Sequence, residues 1–185
     1  MHQTYHHMFG VFLVPGKEII VILSNGTEVI ARKYQEKDAE EIVHLIIRNF
    51  REVNSKDYGE KPMEELAAHH DVNWFKGVAG YANVYVFCIA DQIVGVGSIS
   101  SFWGSLTESI LLTIFVLPEL HGQGIGRFII ETLENDELFL RADRIEIPAS
   151  ITAVGFYRKQ GYDFKNGVKE LDEEGHYRLE KFRNQ

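Results

Sequence analysis

Apolar and polar positions alternate along the first third of the chain in a way that separates strands from helices. Two β-branched runs, Val11 to Val14 and Ile19 to Leu23, are split by Pro15-Gly16 and closed by Asn25-Gly26, the punctuation of a hairpin. Glu28 to Lys33 predicts a further strand. The period then changes: Ile42, Leu45, Ile46 and Phe50 recur at helical spacing behind Asp38, a candidate N-cap, and predict a helix lying on a sheet. From Val53 to Gly59 the pattern lapses into polar residues and glycine, and Pro62 opens a second helix that runs to about His70. Trp74, Phe75 and Tyr81 bracket a glycine-containing connection, as core or as a substrate wall.

Val84 to Ala90 and Ile93 to Ser100, separated by Asp91-Gln92, read as a tight antiparallel hairpin, and a second hairpin joins Ile99 to Ile110 through Gly104. The run from Ile110 to Val116 is then the last strand of a meander. A helix from Gly126 to Leu140 crosses back to one parallel neighbour, Arg144 to Pro148. Ser150 or Thr152 can cap a short helix that ends at Gly161, with Ala153, Phe156 and Tyr157 on one face. Tyr162 to Phe164 and His176 to Phe182 supply the closing strands. The expected fold is α/β with a mixed sheet, an antiparallel meander followed by one βαβ unit, with helices on both faces.

Chemistry concentrates where the apolar strand Ile110 to Val116 meets Pro118 and then Gly122, Gly124 and Gly126. Glycines allow close backbone approach, and the unpaired N–H groups at the start of a helix attract a phosphate. A P-loop would require Lys then Ser or Thr after the last glycine, where this chain has Arg127 and Phe128. A dinucleotide fingerprint starting at Gly122 would need its third glycine at Arg127, although Glu146 mimics the ribose-binding acid. The single βαβ unit argues separately against that fold.

The stretch from His121 to Gly126 resembles the acyl-CoA-binding segment of the GNAT superfamily of N-acetyltransferases, whose pattern is Arg/Gln-x-x-Gly-x-Gly/Ala; His121 departs from its first position. A second segment, ASITAVGFYRKQGYDF, resembles the family pattern Asn-x-x-Ala-x-x-x-Tyr-x-x-x-Gly-Phe, matched at Ala153, Tyr157 and Gly161, with Ser150 in place of Asn and Tyr162 in place of Phe. The likeness runs from about Glu28 to the C-terminus. It implies a GNAT-like acetyltransferase domain over residues 27–185, preceded by an extension, residues 1–26, that holds the hairpin and is expected to be dispensable for cofactor binding. It further implies acetyl-CoA as co-substrate, with its pyrophosphate on the backbone of Gln123, Gly124, Ile125, Gly126, Arg127 and Phe128. Main-chain groups near Phe115 and Val116 would align the pantetheine arm, Ser150 and Ala153 would stand in the second cofactor segment, and Tyr157 would be the general acid. Arg158 and Lys159, with Arg127, would meet the anionic cofactor. Where some relatives place a glutamate on the phosphate-binding strand this chain has Ile110, and Glu108 falls in the preceding hairpin turn; no catalytic base is assigned. Asp57, Tyr58 and Glu60, between the first two helices, are candidates for amine binding.

Composition narrows the partners. A length of 185 residues, 45% hydrophobic and 25% charged, suits one soluble domain, and no apolar run reaches a membrane span. The run FGVFLVPG is a poor signal peptide, so a cytoplasmic protein is expected. A net charge of -8 argues against nucleic acid and fits a small-molecule or peptide amine. The lone Cys88 excludes an internal disulfide and reads as a buried thiol. His2, His6 and His7 lack acidic or thiol partners at ligand spacing, and adjacent His69 and His70 point to different faces, so no metal is expected. Edge-strand pairing of the extension leaves a homodimer open. The reaction implied is acetyl transfer to a primary amine by direct attack in a ternary complex; the alternative is a non-catalytic acyl-CoA-binding regulator on the same scaffold.

Overall fold

The computed structural model describes the backbone of residues 11–14, and residues 18–183. Nine strands form one sheet: β1 (Val11–Val14), β2 (Glu18–Ile22), β3 (Glu28–Lys33), β4 (Asn83–Ile89), β5 (Gln92–Ser101), β6 (Glu108–Val116), β7 (Arg144–Ala149), β8 (Asp163–Phe164) and β9 (Tyr177–Phe182). Their order is β1-β2-β3-β4-β5-β6-β7-β9-β8, and β6 with β7 is the parallel pair in an otherwise antiparallel ladder. The meander followed by one βαβ unit is therefore present as expected. Histidines 2, 6 and 7 lie outside the described residues.

Helices α1 (Ala39–Asn49), α2 (Ser55–Tyr58), α3 (Glu60–His69) and α4 (Val72–Tyr81) fill the crossing from β3 to β4. Helices α5 (Ile125–Glu134) and α6 (Glu137–Leu140) connect β6 to β7, and α7 (Val154–Lys159) follows β7. β5 is buried on both faces from Ile93 to Ser100, which requires cover above and below it. On one face, α5 is seated so closely that a side chain at Gly97 would collide with Ile129 and press on Leu133. Ile42, Leu45, Ile46 and Phe50 are all buried, as a stripe that packs on the sheet should be. Among the described residues no helix is long and apolar enough to cross a membrane.

Several local expectations need correction. The polar stretch after Val53 is not a loop: α1 runs on through a π-helical turn, Phe50–Asn54, into α2, and stops at Gly59 (φ 89°). Its polar residues sit on the solvent side, where Arg48 binds Glu52 at 2.8 Å and Arg51 binds Glu64 at 2.6 Å. The residues around Trp74 and Phe75 form α4, whose Phe75 is core while Tyr81 is exposed. The helix after the glycines breaks at Asn135, because the Asp136 carboxylate accepts from the Leu138 N–H at 2.9 Å and caps a new helix. Asp38 precedes α1 but does not cap it with its side chain, which instead accepts two bonds from Arg32 and one from the Gln35 N–H. Glu108 is not in a turn; it begins β6 and pairs with Arg144 at 3.0 Å.

Candidate active site

The parallel pair β6–β7 is joined only at Glu108↔Arg144, Ser109↔Ile145 and Ile110↔Glu146. Past Ile110 the two strands part, although β6 continues to Val116 and β7 to Ala149. A wedge opens there. On its β6 side the strand carries an extra residue, seen as a register shift opposite Val96 and Ser98 and a left-handed φ of 53° at Thr113. Such a bulge re-aims the backbone that follows it.

The wedge leads into a cavity of about 420 Å³ lined by both halves of the expected site. From the first segment come Phe115, Val116, Gly124, Gly126 and Arg127; from the second, Ser150, Ala153 and Tyr157. Two residues in the left-handed region, Gly122 (φ 77°) and Gly124 (φ 99°), turn the chain into α5. The first helical bond of α5 runs from the Phe128 N–H to the Gly124 carbonyl at 3.0 Å, which leaves the N–H groups of Ile125, Gly126 and Arg127 without helical partners. Phe128 is thus removed from the expected anchor: its N–H is committed and its ring is buried against Phe87. Ile125 contributes backbone only, its side chain being core. Gln123 is turned from the cavity, holding the Glu119 carbonyl and accepting from Asn25.

Arg127 lines the cavity and keeps donors beyond the one bound to Glu131. Arg158 does not join it, because it pairs with Asp163 at 3.2 Å and stacks on Phe164. Lys159 is exposed and outside the lining. Leu23 and Asn25, at the β2–β3 turn, reach the loop as well; Asn25 Nδ2 lies 3.2 Å from Gln123 Oε1, and Leu23 Cδ2 would meet a side chain at Gly124 at 3.5 Å. The strand before that turn is therefore tied to the loop rather than independent of it.

His121 explains its own departure from the motif. Its Nε2 lies 2.9 Å from the Val116 carbonyl, so that nitrogen carries the proton and donates. The same carbonyl accepts from Asn49 Nδ2 at 2.9 Å, and Asn49 also donates to the Leu45 carbonyl at 3.0 Å. With both lone pairs used, the Val116 carbonyl is not available to a ligand. Asn49 was missed by sequence reasoning, yet it sits one helical step along the buried stripe of Leu45 and Ile46, and a buried amide in an apolar stripe is a visible signal.

Asp57 and Tyr58 turn out to be fasteners. The Tyr58 hydroxyl accepts from the Ile151 N–H at 3.0 Å and donates to the Gly175 carbonyl at 2.8 Å, while Asp57 accepts from the Thr152 hydroxyl. They pin α2 to the segment carrying Ser150 and Ala153; Glu60 is exposed. Tyr157 is buried edge-on to Phe156, centroids 5.1 Å apart, and lines the cavity. Burial pushes its pKa above the ordinary phenol range.

Residues 80–163 match the family model of the acetyltransferase (GNAT) domain. A search of curated proteins gave no match. Among solved structures the chain is similar to PaiA N-acetyltransferase from Thermoplasma acidophilum in complex with coenzyme A, at 13% identity, with 83% of this chain and 98% of that one covered and a TM-score of 0.70. It is similar also to a GCN5-related N-acetyltransferase from Rhodopseudomonas palustris (21% identity, 82% and 94% covered, TM-score 0.68). A third is the GNAT domain of PAT from S. lividans (15% identity, 92% and 99% covered, TM-score 0.65). At these identities the structures show that the chain has the fold of the GNAT acetyltransferases, and the matched domain segment spans both the glycine loop and the Tyr157 segment.

Proposed function

We propose that the protein transfers an acetyl group from acetyl-CoA to a primary amine by direct attack in a ternary complex. The observation that carries this reading is the wedge between β6 and β7, with free helical N–H groups at its mouth and Tyr157 on its far wall. The Thermoplasma relative of the same fold holds coenzyme A, which supports the cofactor assignment.

The N–H groups of Ile125, Gly126 and Arg127, with the Arg127 guanidinium, would hold the pyrophosphate. The pantetheine arm would run along the unpaired edge of β6 past Phe115, bounded by Ser150 and Ala153. The amine nitrogen attacks the thioester carbonyl, the C–S bond breaks, the thiolate takes its proton from the Tyr157 hydroxyl, and the proton lost by the amine passes to water, from which the phenolate is reprotonated. A phenol kept protonated by burial, on a ring that lines the cavity and with no hydrogen bond among the described residues, suits that donation.

A regulator that only binds acyl-CoA would need the loop but not a hydroxyl at Tyr157. Thiol release from acetyl-CoA across a panel of amines separates the two readings. Amine-dependent release supports transfer; tight acetyl-CoA binding with no release for any amine supports the regulator.

A further inference from the structure

A second cavity, of about 910 Å³, lies over the N-terminal half of β6. Ser100, Ile110, Glu146 and Glu180 are in register across β5, β6, β7 and β9, so their side chains leave the sheet on one face. That face is opposite α5 and α6, since Gly97 abuts α5 and the Ser109 hydroxyl donates to the Leu138 carbonyl of α6 at 2.7 Å. The cavity's apolar side is made by Tyr81, Phe102, Trp103, Ile110 and Leu112; Trp103 is 93% exposed at its rim.

Its polar end centres on Glu146, a carboxylate only 2% exposed. The two oxygens are used unequally. Oε2 accepts from both Arg144 Nη1 and Lys165 Nζ, each at 2.8 Å. Among the described residues Oε1 accepts no hydrogen bond, and the cation beside it, Arg178, stands off at 3.8 Å. Arg178 is held away by Asp172 at 2.5 Å and by Glu174 at 2.9 Å. Oε1 is therefore an acceptor with capacity to spare, on a carboxylate that lines a cavity from which a donor can come. Its position matters as much as its valence: Ile110↔Glu146 is the last pair before β6 and β7 separate, so Glu146 stands at the apex of the wedge. Carboxylates also outnumber cations around it, with Glu108, Asp172, Glu174 and Glu180 set against Arg144, Lys165 and Arg178.

We propose that Glu146 Oε1 receives the N–H of the acceptor, and that the acceptor is a primary amine carried on an apolar, aromatic-sized body that lies against Phe102, Trp103 and Leu112. This deepens, and rests on, acetyl transfer from the wedge. It makes Glu146 a specificity-determining residue placed on β7, one strand over from the phosphate-binding strand.

The test is calorimetric titration of 2-phenylethylamine, and of 2-phenylethanol as its uncharged counterpart, into protein saturated with coenzyme A. The wild type is expected to prefer the amine by about tenfold or more, the range of a hydrogen bond to a charged group. Glu146→Gln should erase that preference and leave coenzyme A affinity unchanged, and adding Ile110→Glu to it, which returns a carboxylate to the same cross-strand row, should recover it. Trp103→Ala should weaken both ligands alike. Equal binding of amine and alcohol by the wild type, which needs no variant to fold, overturns the proposal, as does an undiminished preference in Glu146→Gln. Failure of the wild type to bind coenzyme A would instead defeat the acetyl-transfer reading beneath it.

Discussion

Tyr157, whose buried ring lines the cavity and whose hydroxyl burial keeps protonated, is the residue on which the proposed chemistry depends. If it protonates the leaving thiolate, Tyr157→Phe should lower turnover of an identified amine by about 10²-fold or more, because positioned general acids contribute that much. Acetyl-CoA affinity should change little, since the ring keeps its packing on Phe156. Turnover by the Phe variant at the wild-type rate across the pH profile would reduce Tyr157 to a packed aromatic. Asp38 illustrates a residue whose role is structural and pH-dependent. Burial alone would raise its pKa, but the Arg32 guanidinium and the Gln35 N–H outweigh burial and hold the carboxyl below its usual range. A depressed folded-state pKa contributes stability that is complete above the unfolded value of about 3.9 and fades as pH falls through the lower folded value. Asp38→Asn should therefore be destabilised by about 1–3 kcal/mol at pH 7, with the gap to wild type closing below about pH 4 in urea melts. A gap that stays constant with pH would exclude this ion pair as its source.

At the scale of elements, the active cavity depends on how two neighbours hold β6 and the loop after it. α5 is pressed onto β5 at Gly95 and Gly97, where Ile125, Ile129 and Leu133 occupy the space a side chain would take. Gly97→Ala overpacks that contact and should cost about 1–3 kcal/mol in a denaturant midpoint series; a neutral outcome would mean that α5 is free to move off the sheet. The N-terminal strands act from the other side. Removing residues 1–17 leaves β2, Leu23 and Asn25 in place and should preserve acetyl-CoA affinity, whereas removing residues 1–24 strips β2 and the contact with Gly124 and should weaken it. Equal affinity in two folded truncations would show that the loop needs no such support. The strands themselves were legible from apolar runs and turn residues, to within a residue or two for β3, β4 and β6. The helices were less so. Solvent-facing polar residues concealed the continuation of α1 into α2, and the cap at Asp136 was hidden inside an otherwise helical pattern.

For the whole molecule, two short segments with fixed spacing carried the resemblance to acetyltransferases, because the loop has glycine where the backbone turns left-handed and Tyr157 follows four residues after Ala153. What they could not disclose is set by distance in three dimensions. Asn49 and His121 converge on one carbonyl from residues far apart in the chain, and Tyr58 bridges Ile151 and Gly175, so neither arrangement has a local signature. The apex at Glu146 is visible only once the register of β6 and β7 is known. All of these features matter to function only if acetyl-CoA enters the wedge with its pyrophosphate on the start of α5. Gly126 offers the most direct test, since it lines the cavity at ordinary φ, and a side chain there would touch only the Phe156 ring, at 3.3 Å. Calorimetry of acetyl-CoA binding to wild type and to Gly126→Glu should show saturable binding by the first and a loss of at least about 100-fold by a folded second, since the added carboxylate places bulk and like charge where the pyrophosphate would meet the free N–H groups. Undiminished affinity in a folded Gly126→Glu protein would contradict the account.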